Sequence, residues 1–344
     1  MASGAAPQAE RLPGRFESAL ASGTFAVTAE IGPPRSADAG AIQRKVAPLR
    51  DWVAAVNITD NQSAVVRLAS WAGSLLALAI GVDPIMQLTC RDRNRIALQS
   101  ELLAAAAMGI PNVLIMTGDH PRFGDHPDAK PVFDLDSVQL LWAARTMRDE
   151  GRLLSGRALN PSPCWFLGAV ENPSAPPVDF RAARLGKKVA AGAQFVQTQY
   201  VFDLVAFGRW MRQVRDLGLV ERCHILAGVG PIMSVRALHH LQAGVPGVHV
   251  PADVARRLLA VPLDRTADEG IKLCAETITQ LRQLPGLAGV HVMAVGNEHR
   301  IPEILSQAGL VPATLAAVPA AQENDRHAAG SPPASAQEGA RHAR

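Results

Sequence analysis

The chain lacks the features that would tie it to a membrane, a nucleic acid or an oxidising compartment. Its four cysteines, Cys90, Cys164, Cys223 and Cys274, lie far apart and form no C-x-x-C pair. That spacing argues against a zinc site or a redox motif and points to reduced thiols, with no metal ligands expected. No apolar run is long enough for a membrane span. The most apolar stretch, residues 68–82, contains Ser70, Gly73 and Ser74 and falls short of the roughly 20 residues that a spanning helix needs, so it reads as a buried helix. Charge of one sign is also missing: 34 Lys and Arg stand against 31 Asp and Glu, a net charge of +3. The only basic alternation is Arg91, Arg93 and Arg95, too little for a nucleic-acid footprint. The first residues, MASGAAPQAERLPGR, have no apolar core of the signal-peptide kind, so a cytoplasmic protein with a small-molecule partner is expected.

What is present is a regular alternation. Residues 1–12 and the Ala/Pro/Gln/Ser-rich tail 312–344 are expected to be disordered. Between them, over 13–311, Val/Ile/Leu-rich runs alternate with longer amphipathic stretches, the pattern of β/α units around a parallel sheet. Eight strands are predicted, at 25–31, 53–59, 84–90, 112–118, 164–170, 195–201, 224–230 and 289–295. Eight such units in one catalytic domain predict an α/β fold, a single (β/α)8 TIM barrel. A doubly wound dinucleotide fold is the weaker reading, because the turn after the first strand reads Glu30-Ile31-Gly32-Pro33-Pro34 rather than G-x-G-x-x-G. Residues 251–285 hold pattern for more than one helix and read as an insertion in the barrel.

In such barrels the chemistry sits at the carboxyl ends of the strands. Those ends carry Glu30, Thr59-Asp60-Asn61, Thr89-Cys90-Arg91-Asp92, Thr117-Gly118-Asp119-His120, Glu171-Asn172 and Gln197/Gln199. Glu30, between Ala29 and Ile31, is a candidate general acid whose apolar surroundings are expected to disfavour its ionised form. The repeated Gly-Asp-His-Pro of residues 118–127 invites a metal reading, but a Pro/Gly loop favours turn formation and a lid over the mouth, with Asp119 as its catalytic candidate. Arg181, Arg184, Lys187 and Lys188 are expected to share a helical face that docks a phosphate or diphosphate. Gln197 and Gln199 point to one side of the sixth strand, and either a polar heterocycle or an internal hydrogen-bond network would satisfy them. Schiff-base chemistry is disfavoured, since Lys45 and Lys272 lie outside the predicted strands.

The same residues carry a family resemblance. Glu30 in AEIGPP, LTC at 88–90, TGD at 117–119, KKVAAGA at 187–193, TQYVFD at 198–203 and GVGP at 228–231 fall in an order that resembles the methylenetetrahydrofolate reductase family, over about residues 20–310. The resemblance implies a barrel that binds FAD, takes electrons from NADH or NADPH, and reduces methylenetetrahydrofolate to 5-methyltetrahydrofolate. It gives Glu30 the part of the acid that opens the folate's five-membered ring and Asp119 that of the anion beside flavin and pterin. Gln199 matches the folate-contacting glutamine, while Thr59, Gln87, Thr117, Gly118, Asp119, Asn172, Lys187 and Lys188 match flavin-contacting positions. The chain departs from the bacterial pattern at Ala29, Ile31 and Gly32, where aromatics stand, and at Thr117, where an arginine stands. These departures bring in FMN beside FAD, and a folate-binding or flavin-independent partner in a methyl-transfer or demethylation system as the alternative function. A homo-oligomer or an electron-donating partner subunit is a further expectation.

Overall fold

Strands built of Val, Ile and Leu with little alternation need cover on both faces, and a closed parallel barrel wrapped by helices supplies it. The computed structural model describes residues 13–245 and 247–312. The expected disorder of 1–12 and of the tail beyond 312 lies outside the described residues. Eight parallel strands close in sequence order: β1 (Ala26–Ile31), β2 (Ala55–Ile58), β3 (Pro84–Thr89), β4 (Asn112–Met116), β5 (Phe166–Glu171), β6 (Phe195–Tyr200), β7 (His224–Val229) and β8 (Leu287–Val292). The ring is sealed by β8 against β1, with Thr28 opposite His291. Every predicted strand is found. The eighth begins two residues early, because Leu287 already pairs with Ile225, the register then shifting past Ala288 to Gly289 opposite Leu226. Gly289 is required there, since a Cβ would lie 2.1 Å from the Ala26 carbonyl oxygen.

The helices are α1 (Arg15–Ala21), α2 (Ala39–Val46), α3 (Ser70–Leu78), α4 (Arg95–Ala107), α5 (Ser137–Asp149) and α6 (Arg181–Ala191). They continue with α7 (Leu204–Asp216), α8 (Val235–Gly244), α9 (Ala252–Leu259), α10 (Thr266–Leu281) and α11 (Ile301–Gln307). Local sequence sets several boundaries: Asn94 caps α4, Asp136 and Gln139 form a capping box on α5, and Asp203 caps α7. Asp203, part of the TQYVFD run, is therefore a helix cap. The predicted insertion is redistributed: α10 packs against β7 and α11 as a barrel helix, leaving α8 and α9 as the extra elements over their own apolar cluster of Ile232, Leu238, Val250, Ala255 and Leu258. The stretch 68–82 contains α3, buried along Ser70, Gly73, Ser74 and Ala77. Among the described residues no helix is long and apolar enough to cross a membrane. All four cysteines are free, and burial pushes the Cys90, Cys223 and Cys274 thiols up to about 12, so they are not nucleophiles at neutral pH.

One end of the barrel is plugged. Phe16 of α1 meets Phe166 and Phe195 edge-on at 5.9 and 5.1 Å between ring centres, above Ala26, Ile85, Leu114 and Leu226. Room for this packing comes from Gly168, where a Cβ would lie 2.2 Å from the Phe195 ring. The other end, at the strand carboxyl termini, is left for polar residues. Truncating the plug with Phe16→Ala is expected to lower stability by about 3–5 kcal/mol in urea denaturation, the ordinary result of emptying a fully buried aromatic site.

Candidate active site

At the open end the geometry centres on Glu30, the penultimate residue of β1. Its carboxylate is largely buried, and both oxygens have neighbours: Oε1 accepts from Gln62 Nε2 at 3.0 Å, and Oε2 lies 3.7 Å from His291 Nε2. Gln62 arrives on a strained turn in which Asn61, Ser63 and Ala64 take φ of 47, 57 and 57°, left-handed conformations that non-glycine residues seldom adopt. Below Glu30 the barrel interior is polar and closed to solvent. Asn57 and Gln197 exchange hydrogen bonds (2.5 and 3.1 Å), Gln197 Nε2 donates to Thr28 Oγ1 (3.0 Å), and Thr28 Oγ1 lies 3.0 Å from His291 Nδ1. Of the two readings of Gln197, the internal network is the one found. Tyr200, the only tyrosine in the chain, donates from its hydroxyl to the Met293 carbonyl at 2.9 Å. Burial, reinforced by the Glu30 charge, pushes its phenol well above the usual range and keeps it neutral.

The remaining predicted residues divide into two groups. Thr59, Gln87, Thr117, Gly118 and Asp119 belong to the ends of β2, β3 and β4 and the turns after them. Thr59 is buried with its hydroxyl unpartnered, Gln87 is buried, and Asp119 is exposed. Gly118, at φ 88°, lets the chain pass over Thr89 and Arg91, whose side chains a Cβ would meet at 3.0–3.3 Å. Arg91 itself is buried. It forms a two-point pair with Asp92 (2.7 Å each) and donates to the carbonyls of Asn61 (3.3 Å) and Asp119 (3.4 Å), bracing both loops. Arg93 likewise binds Asp60 (2.7 and 3.1 Å) and Glu101 (2.6 Å), so the arginine alternation serves loop structure. In the Gly-Asp-His-Pro loop, Asp125 accepts from the Val66 amide and Gly124 packs on Ala64, where a Cβ would fall 1.8 Å from the carbonyl oxygen. The loop is thus tethered to the turn that carries Gln62. Among the described residues no group of three or more His, Cys, Asp or Glu is placed to hold a metal ion.

The second group corrects the expected phosphate-docking face. Lys188 is buried, and its Nζ bonds the Val170 carbonyl and Glu171 Oε2 (2.9 Å). Arg181 is also buried, 3.8 Å from Glu171, with its donors on the carbonyls of Ala175 (2.6 Å) and Pro176 (2.5 Å). Positions 181 and 188 share a helical face turned inward, whereas Lys187, about 100° away, is exposed over the Phe180 ring. Burial lowers the Lys188 pKa and Glu171 opposes that shift. Asn172 is covered by Gly247, where a Cβ would lie 2.3 Å from its amide nitrogen. Gln199 is half-buried at the end of β6, its Oε1 accepting from the Tyr200 amide at 2.9 Å. At the ends of β2–β4 the orphaned Thr59 hydroxyl leaves a polar atom free for a bound group. A diphosphate does not fit the arrangement at β5 and α6, where the buried cations already face a carboxylate and carbonyls.

The strand-end rule missed His291, Gln62 and Tyr200. His291 lies inside the eighth predicted strand, between two valines; its signal is its inward phase, shared with Thr28 and Glu30 across the β1–β8 register. Replacing Glu171 with Gln leaves Lys188 and Arg181 buried without a counter-charge and is expected to lower stability by about 3–5 kcal/mol, measured by thermal or urea denaturation.

The family model described as methylenetetrahydrofolate reductase matches residues 15–309. The chain is 29% identical over 254 residues to a probable methylenetetrahydrofolate reductase (NADPH) of Caenorhabditis elegans, covering 73% of this chain and 36% of that protein. It is 24% identical over 243 residues to methylenetetrahydrofolate reductase 1 of Schizosaccharomyces pombe, covering 69% of this chain and 37% of that one. The chain thus spans little more than a third of the length of these relatives. A solved structure of a Clostridium thermocellum protein, described as binding two copies of 5-methyl-5,6,7,8-tetrahydrofolic acid, shares the fold with a TM-score of 0.57 at 12% identity, over 85% of this chain and 97% of that one. With the family model matched across almost the whole barrel, the chain belongs to the methylenetetrahydrofolate reductase family.

Proposed function

We propose that this barrel reduces 5,10-methylenetetrahydrofolate to 5-methyltetrahydrofolate, with reducing equivalents that originate on NADH or NADPH. The observation that carries the reading is Glu30, a buried carboxyl at the catalytic end of a family barrel whose oxygens meet neutral donors and a histidine instead of a lysine or arginine. A carboxyl so placed is able to exchange a proton. It gives that proton to N10 of the bound folate, the C–N10 bond of the five-membered ring breaks, and the methylene carbon becomes an iminium on N5. Hydride addition to that carbon yields the methyl group. Asp119, exposed at the mouth, supplies negative charge beside the cationic iminium, and Gln199 at the end of β6 contacts the pterin.

A flavin, FAD or FMN, is the hydride carrier that family membership suggests. The ring-side residues Thr59, Gln87, Thr117 and Gly118 suit its heterocycle. Lys187, Lys188 and Asn172 do not suit its phosphates, because Lys188 faces Glu171 and Lys187 faces outward. That observation favours a second reading in which the nicotinamide delivers hydride directly to the folate.

The test combines a cofactor measurement with an activity. Purified protein is expected to carry flavin well below one equivalent per chain by visible absorbance, and to oxidise NADH or NADPH only when methylenetetrahydrofolate is present. A full equivalent of FAD surviving gel filtration would contradict the phosphate-side argument. Glu30→Gln is expected to lower folate reduction by about 10²–10⁴-fold, the usual range for a lost general acid, with folate binding retained. Unchanged turnover in that variant would remove Glu30 from the chemistry. Tight binding of 5-methyltetrahydrofolate by an inactive wild-type protein would instead indicate a folate-binding role in methyl transfer.

A further inference from the structure

We propose that His291 is a positioning residue for Glu30, fixed in its Nε2–H tautomer by the amide pair buried in the barrel. Its catalytic part rests on the reading of Glu30 as the acid; the tautomer does not. Thr28, Asn57, Gln197 and His291 are each 3% exposed or less, so water does not compete for their hydrogen bonds. Asn57 and Gln197 satisfy each other, with Asn57 Nδ2 donating to Gln197 Oε1 at 2.5 Å and Gln197 Nε2 donating to Asn57 Oδ1 at 3.1 Å. The second proton of Gln197 Nε2 goes to Thr28 Oγ1 at 3.0 Å. Thr28 then accepts from below, and its own hydroxyl proton is directed to His291 Nδ1 at 3.0 Å. An Nδ1 that accepts leaves the ring proton on Nε2, which lies 3.7 Å from Glu30 Oε2.

The consequence for the acid follows from its product. When Glu30 releases its proton, a carboxylate forms in a closed, low-dielectric setting, and only donors already aimed at it reduce the free energy of that charge. Gln62 donates to Oε1 at 3.0 Å, and the His291 Nε2–H dipole faces Oε2 from 3.7 Å, beyond hydrogen-bond length but near enough to favour the developing charge electrostatically. The groups facing the imidazole fit this part. Glu30 on β1 is the ionisable partner, Gly228 opposite His291 on β7 brings no side chain, and Tyr200 of β6, whose phenol senses the Glu30 charge, is held neutral on the Met293 carbonyl. The network does not conduct protons onward, since it ends in two amides; it orients the ring.

Two isosteric variants and one spectrum test the proposal. Side-chain ¹⁵N NMR of the full chain, with the His291 signal assigned by its loss in His291→Gln, is expected to show a neutral ring protonated on Nε2 whose Nε2 shift moves in Glu30→Gln. A ring protonated on Nδ1, or a shift indifferent to Glu30→Gln, overturns it whether or not the protein reduces folate. In turnover, His291→Asn keeps a partner for Thr28 but does not reach Glu30, whereas His291→Gln restores a donor near the Nε2 position. His291→Asn is expected to lower kcat roughly tenfold or more, with KM for the folate within about twofold and an unchanged Tm, and His291→Gln to recover most of that loss. Equal loss in both variants, in step with a falling Tm, would make His291 structural and overturn the proposal.

Discussion

The structure depends on how a parallel barrel, buried on both faces, accommodates carboxylates at its strand ends. Three buried ones, Glu30, Asp60 and Glu171, sit at the ends of β1, β2 and β5, and the fold treats them differently. Asp60 meets Arg93 at 2.7 Å and also accepts from the Thr89 amide and hydroxyl. Glu171 meets Lys188 at 2.9 Å and Arg181 at 3.8 Å. A buried carboxylate compensated by a full positive charge serves as structure. Glu30 has no such cation, only an amide and an imidazole. Charge compensation thus separates the carboxyl proposed as the acid from the two engaged in ion pairs, a distinction that position along the strand does not make.

The interior beneath Glu30 follows from the same constraint. A ring of apolar side chains at that level would leave the carboxyl in contact with hydrocarbon, and an unsatisfied amide would be as unfavourable. Pairing Asn57 with Gln197 and placing Thr28 between that pair and His291 satisfies most of the polar atoms. Glycine supplies the space. Gly228 lets β7 approach β6, where a Cβ would fall 2.2 Å from the Thr198 carbonyl oxygen, and Gly168 admits the Phe195 ring below. The plug of Phe16, Phe166 and Phe195 closes the far end, so the polar interior is sealed from solvent on that side.

Much of this was legible in the sequence, and the reasons for the gaps are physical. The eight strands were readable because two-sided burial writes continuous Val/Ile/Leu runs, and Glu30 was readable because a charge interrupts such a run. His291 was not, since a neutral imidazole between two valines resembles core, and its partner Thr28 is 263 residues away in sequence. Periodicity placed Arg181 and Lys188 on one face of α6 correctly, yet it did not reveal that the face turns inward onto Glu171. The Arg91 and Arg93 alternation likewise reads as surface charge until Asp60, Asp92 and Glu101 are brought beside it. One-dimensional pattern reports which residues share a face; only the third dimension reports what that face meets.

Glu30 and Asp119 show why two carboxyls of one mouth suit opposite tasks. Asp119 is exposed to water on a loop held through its backbone by Arg91. Glu30 is enclosed, and its charge relies on the donors of Gln62 and His291, whose placement depends on a strained turn and a buried network. A reaction that passes through a cation needs a standing anion and a separate group that gives up a proton. In the proposed reaction the open loop would supply the first and the closed strand end the second. The Gly-Asp-His-Pro loop connects them mechanically: Asp125 binds the Val66 amide, just past the turn that delivers Gln62 to Glu30. The loop bearing Asp119 is therefore tied to the turn that carries the Glu30 donor Gln62.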